Sequence, residues 1–242
     1  MLSPEILRQI RRLQLRARRI VDNLLGGEYH SVFKGTGIAF EEVREYQPGD
    51  DVRSIDWNVT ARMGEPFLKR YVEERERTVV LALDASASLR FGTGLQQKRE
   101  VAAELAALIA LSAAANNDRV GLVLFTSGIE LFLPPRKGSG HVLRIIREAL
   151  FFEPKGRGTN LAEGLAHLNR VLRRRAIVFL FSDFLDEGYA RAVQRTARRH
   201  ELVAVRVGDA RENELPAVGL VEAEDPETGR RLVIDTGSAA LR

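Results

Sequence analysis

The chain has 242 residues and a mass of 27.1 kDa, with 45% hydrophobic and 29% charged residues, a net charge of +4 and a pI near 9.7. That length can bury a full core in one main domain plus an appendage. Zero cysteines exclude disulfides, thiolate catalysis, zinc–thiolate sites and iron–sulfur clusters, and no apolar run approaches the roughly 20 residues of a membrane-spanning helix.

In chain order, residues 1–25 carry Ile6, Ile10, Leu13, Ala17, Ile20 and Leu24 at helical spacing, with Arg8, Arg11, Arg12, Arg16, Arg18 and Arg19 between them. This predicts an amphipathic helix stopped by Gly26-Gly27. Its stripe is expected to dock on the neighbouring domain; a membrane surface is the alternative. Arginines interrupt any secretory signal core, so a cytoplasmic address is expected. Residues 26–77 change to short polar pieces punctuated by Lys34-Gly35-Thr36-Gly37 and the turn Gln47-Pro48-Gly49-Asp50-Asp51, which reads as a small β-rich appendage. The lone Trp57 is expected to anchor packing at the joint to the next domain. Arg44, Asp51, Arg53 and Asp56 are expected to form ion pairs there.

From residue 78 to 209 strand and helix alternate. The expected strands are 78–83, 120–125, 130–133, 177–181 and 202–207, and the expected helices 96–115, 141–150, 161–173 and 187–199. Alternation of this kind demands an α/β, doubly wound, mainly parallel sheet with helices on both faces. In residues 210–242 two short strands, 220–223 and 232–234, flank Asp225-Pro226-Glu227-Thr228-Gly229 as a hairpin. The chain stops at Ser238-Ala239-Ala240-Leu241-Arg242 without a closing signal, as a fragment of something longer would.

The chemistry concentrates at strand ends. The buried run Thr78–Leu83 opens into Asp84-Ala85-Ser86-Ala87-Ser88, and ligands of open α/β sheets sit outside the carboxyl ends of the strands. One carboxylate and two hydroxyls suit Mg²⁺ or Mn²⁺, which favour hard oxygen donors. The same residues could instead cap the next helix and bond their own backbone. Two further segments favour the cation. Gly156-Arg157-Gly158-Thr159-Asn160 presents a hydroxyl at the mouth of a helix. Ile177-Val178-Phe179-Leu180-Phe181 ends in Ser182-Asp183 on the same sheet edge.

Asp-x-Ser-x-Ser, a loop threonine and a strand-end aspartate, in that order, resemble the metal-ion-dependent adhesion site of von Willebrand factor A-type domains. The resemblance implies that Ser86, Ser88 and Thr159 hold the ion directly or through water and that Asp84 and Asp183 balance its charge. A second string, Gly35 through Trp57 with its Arg44-Glu45-Tyr46 and Gly49-Asp50-Asp51-Val52-Arg53-Ser54-Ile55-Asp56-Trp57 elements, is similar to the bacterial family catalogued as domain of unknown function fifty-eight. There such a string precedes a domain of von Willebrand A type. That resemblance implies work beside a MoxR-type AAA+ ATPase in assembling or maturing other proteins.

The function expected is therefore a non-enzymatic, metal-dependent protein-binding module whose partner supplies an acidic residue to the ion. A phosphatase of the haloacid dehalogenase type is the enzymatic alternative, but it needs a general-acid aspartate where Ser86 stands. Gly92-Thr93-Gly94-Leu95-Gln96-Gln97-Lys98 imitates a nucleotide loop without its required ending. Nucleic-acid binding would rest on net charge alone and is not expected. The histidines, His30, His141, His167 and His200, are scattered without ligand spacing and read as surface or packed residues.

Overall fold

The computed structural model describes residues 39–47, 50–72, 76–212, 214 and 216–238. The amphipathic helix expected over residues 1–25 lies outside them. Among the described residues the chain divides into two compact units with the boundary between Arg77 and Thr78.

In the smaller unit, β1 (Ala39–Glu45) pairs antiparallel with β2 (Phe67–Val72). Between them runs the short helix α1 (Trp57–Met63). Asp56 starts α1 by accepting the N–H groups of Asn58 at 3.0 Å and Val59 at 3.4 Å, and Gly64 ends it in a left-handed conformation. Asp51 likewise accepts the N–H of Arg53. Both aspartates thus serve as caps. Trp57 stands 67% exposed at the first position of α1.

The larger unit is α/β. Its elements are β3 (Thr78–Asp84), α2 (Lys98–Ala115), β4 (Arg119–Phe125), β5 (Ile129–Arg136), α3 (Ser139–Phe151), α4 (Leu161–Val171), β6 (Ile177–Ser182), α5 (Ala190–Arg199) and β7 (Glu201–Arg206). The five strands form one sheet in the order β5-β4-β3-β6-β7. β3 is central and parallel to β4 and β6, and β6 is parallel to β7; only β5, joined to β4 by a tight turn, runs antiparallel. The alternation expected from the sequence is realised, with each boundary within a turn of its expected place.

Period-two alternation along β3 splits the core. Val79, Leu81 and Leu83 pack with the alanine-rich face of α2 and with Val142, Ile145 and Ile146 of α3. Val80 and Ala82 pack on the other face with Leu161, Leu165 and Leu168 of α4. Burial of each such valine, leucine or isoleucine contributes about 1.5–3 kcal/mol. Small residues let the helices approach: a Cβ on Gly164 of α4 would meet the Phe125 ring at 3.1 Å. The described C-terminal residues form the expected hairpin, β8 (Leu220–Glu224) and β9 (Arg231–Asp235). Among the described residues no helix is long and apolar enough to cross a membrane.

Candidate functional site

Register places the site. Leu83 of β3 pairs with Phe181 of β6, so Asp84 and Ser182 end adjacent parallel strands side by side. Ser182 donates its hydroxyl to Asp84 Oδ2 at 2.7 Å, and the Ser86 N–H donates to Asp84 Oδ1 at 2.9 Å. Asp84 is 2% exposed. Burial pushes its carboxyl up from 3.8 to about 6, against the hydrogen bonds from Ser86 and Ser182, and the charge of Asp183 adds to the rise. A proton or a cation there relieves the same cost.

Beyond Asp84 the chain makes a single 3₁₀ turn, Ala87–Arg90. Ser86 stands at its start without capping it through the side chain. Its buried Oγ lies 3.0 Å from Ser88 Oγ instead. Of the capping alternative, then, the bond that Asp84 accepts from the Ser86 N–H is realised. Asp183, also 2% exposed, accepts the Leu185 N–H at 3.2 Å on Oδ1 and the Lys98 ammonium at 2.8 Å on Oδ2. Lys98 is buried in the first turn of α2 and also donates to Glu212. Burial alone would push its ammonium down, but the two carboxylates hold it above its ordinary value.

Thr159 lies in the loop before α4. Asn160 caps that helix by accepting the Glu163 N–H at 2.9 Å, and Asp186, from the loop after β6, accepts the Leu161 N–H at 2.8 Å. Upstream, Glu130 of β5 accepts the N–H groups of Lys155 and Gly156 and the hydroxyl of Thr126. Although burial alone would raise its carboxyl, these bonds lower it on balance. Gly156 is required there, since a Cβ would meet Thr126 Oγ1 at 2.2 Å. The loop reaches the first segment where the Ala87 N–H donates to the Arg157 carbonyl at 2.8 Å.

Of the five expected residues, Asp84, Ser86 and Ser88 share one turn, and Asp183 is close enough for its charge to act on Asp84. The Thr159 loop abuts that turn, but the Thr159 hydroxyl bonds Glu227 of the β8–β9 hairpin, at 2.6 Å, rather than any of the other four. Sequence patterning alone does not single out Ser182, Lys98 or Glu227 as members of the site. Ser182 is legible from register, as the neighbour of Asp183 on a strand expected to pair with β3. Lys98 closes the glycine-rich stretch that imitates a nucleotide loop; its burial against Asp183 is a tertiary fact. Nothing local marks Glu227.

The donor chemistry fits a small, hard cation. The two serine hydroxyls are hydrogen-bonded to each other at 3.0 Å, and an octahedral Mg²⁺ that took their lone pairs would hold the two oxygens about 2.9 Å apart. Each Asp84 oxygen keeps a lone pair beyond the bond it accepts. Among the described residues no three His, Cys, Asp or Glu side chains gather into a cage, so a cation would depend on hydroxyl oxygens. Of the described histidines, His141 bonds the Val120 carbonyl, His167 packs edge-on against Phe132, and buried His200 accepts the Ala176 N–H. His30 lies outside the described residues.

A family model described as "Protein of unknown function DUF58" matches residues 42–242. Uncharacterized proteins of Mycobacterium tuberculosis and Mycobacterium bovis are each 35% identical over 230 residues, 94% of this chain and 73% of theirs. Among solved structures, the conserved hypothetical protein BatB of Bacteroides thetaiotaomicron is similar with a TM-score of 0.47 and 17% identity, over 66% of this chain and 80% of that one. An aerotolerance-related membrane protein of Bacteroides fragilis is similar with a TM-score of 0.47 and 18% identity, over 66% and 82%.

Proposed function

We propose that this chain, which belongs to the DUF58 family, is a protein-binding module whose larger unit is of von Willebrand factor A type and holds Mg²⁺ or Mn²⁺. Asp84, Ser86, Ser88, Thr159 and Asp183 are the residues that would hold the ion. The observation that carries the reading is the end of β3, where the buried Asp84 carboxylate, held by the Ser86 N–H, stands beside the hydrogen-bonded hydroxyls of Ser86 and Ser88. Bound there, the ion supplies a Lewis-acidic centre with an exchangeable position that a carboxylate of another protein can take.

The chain's own residues prepare that position. Burial of Asp84 and Asp183 at the sheet end keeps their charges in a medium where water screens them little. Ser182 and the Ser86 N–H fix the Asp84 carboxylate, and Lys98 fixes Asp183 from the opposite oxygen to the Leu185 N–H. The formal charges of Asp84, Asp183, Glu212, Glu227 and Lys98 sum to −3, a field that draws a cation. Ser86 stands where a phosphoaspartate enzyme needs an acid, so proton transfer to a leaving group has no donor at that position.

Work alongside a MoxR-type AAA+ ATPase in the maturation of other proteins is the context we propose for the module, on the sequence resemblance of residues 35–57. The test of the core reading is calorimetric titration of Mg²⁺ into the metal-free chain and into Asp84→Ala. Saturable binding lost in the variant, with the far-ultraviolet spectrum unchanged, is the expected result. Equal titrations would refute the site. Co-purification with the ATPase only in the presence of Mg²⁺ tests the partnership.

A further inference from the structure

The hairpin places an acid against the candidate metal loop. Asp225 accepts the Glu227 N–H at 2.9 Å and the Thr228 N–H at 3.4 Å, and Gly229, at φ 72°, closes the turn by donating its N–H to the Asp225 carbonyl at 2.8 Å. This fixes the Glu227 backbone and projects its side chain onto Thr159. The Thr159 hydroxyl donates to Oε1 at 2.6 Å and the Thr159 N–H to Oε2 at 3.2 Å. The carboxylate is half-buried, and among the described residues no lysine or arginine pairs with it. Its neighbours in the hairpin, Glu222 and Glu224, both pair with Arg231. A half-buried carboxylate served only by neutral donors lacks a cation.

We infer that Glu227 is an internal acid that takes, from within the chain, the place a partner's carboxylate would take at the metal centre, so that the hairpin must leave Thr159 before a partner enters. This rests on the metal reading of the site. It makes the β8–β9 hairpin a competitor for the binding position: the effective concentration of a tethered acid is high, and an incoming protein must exceed it or pull the hairpin away. An acidic partner is thereby selected for strength, and stray carboxylates are kept off the ion.

Mn²⁺ is the probe, added to the full chain, to Glu227→Gln and to a control, Glu224→Gln. Binding is read by calorimetry, and exchangeable water on the bound ion by water-proton relaxation. In Glu227→Gln the ion is expected to gain one water on top of the two or three it keeps, raising the relaxivity of the bound ion by roughly a third to a half. Its affinity is expected to fall about tenfold with loss of a charged partner. Added acetate should then lower the relaxivity of Glu227→Gln and leave that of the wild type and the control unchanged. Hydrogen exchange over residues 220–235 should speed up in Glu227→Gln alone. Equal relaxivity and affinity in wild type and Glu227→Gln, with Asp84→Ala abolishing binding, would overturn the internal acid and leave the metal site standing. Absence of Mn²⁺ binding by every chain would overturn both.

Discussion

Removing the charge of Asp84 should stabilise the metal-free protein. The folded carboxyl titrates at about 6 against an ordinary 3.8; a difference of roughly two pH units corresponds to about 3 kcal/mol. The sign follows from the proton balance. The folded pKa lies above the unfolded one, so the folded state holds the proton more tightly, and this contribution is fully present below about pH 4 and lost as pH rises through about 6. At pH 8 the ionised group therefore costs about 3 kcal/mol, an upper figure for a residue 2% exposed. Asp84→Asn removes the charge but turns an amide N–H₂ toward a serine hydroxyl or a backbone N–H that now donates to it, a mismatch of about 1 kcal/mol. The net gain is about 2 kcal/mol, or roughly 4–8 °C in melting temperature for a domain of this size. Urea or thermal unfolding in EDTA at pH 8 reads it. At pH 5, near the midpoint of the two pKa values, about half of the 3 kcal/mol is restored to the wild type and the gap should shrink accordingly. A variant less stable than wild type at pH 8, or a gap that does not change with pH, would refute the reasoning.

Mg²⁺ should compete with a proton at Asp84, its affinity falling about tenfold per pH unit below about 6 in calorimetric titrations and staying level above it. Lys98→Met should destabilise by about 3–5 kcal/mol in denaturant unfolding, because it leaves Asp183 buried without its cation. Gly156→Ala touches no ligand, yet its Cβ would collide with Thr126 Oγ1 at 2.2 Å and Glu130 Oε1 at 2.9 Å; displacement of the 155–160 loop should cost about 1–3 kcal/mol and weaken Mg²⁺ binding several-fold. Asp186→Ala should cost about 1 kcal/mol by uncapping α4 at the Leu161 N–H.

The α/β architecture is legible in the sequence because its signal is local. Each buried strand is a short apolar run, α3, α4 and α5 carry a 3.6-residue stripe while α2 is a long alanine-rich run, and strict alternation of strand and helix allows few sheets. The strand-end position of Asp84 and Asp183 follows directly. What stays hidden depends on contacts between distant segments. Lys98 looks like the tail of a loop motif, and only folding brings it 2.8 Å from Asp183, 85 positions away. Thr159 and Glu227 are 68 positions apart and meet through a hairpin whose placement no periodicity encodes. The short helix α1 is legible at its ends, since Asp56 caps its start and Gly64 closes it in a left-handed conformation.

The cost of burying Asp84 also explains why a site of this kind belongs at the end of a central strand. The apolar cores on both faces of β3 hold the backbone rigidly enough to keep an ionised carboxylate in place that would otherwise escape to water. A ligand that binds only the folded state at 100 times its dissociation constant contributes about 2.7 kcal/mol, close to what ionised Asp84 costs at neutral pH. On the proposed reading a bound cation would offset the charge that the fold confines, as a proton does below about pH 6. Site and scaffold are coupled through that one carboxylate. Any change that shifts the β3–β6 register displaces Ser182 from Asp84 and should weaken cation binding along with the sheet.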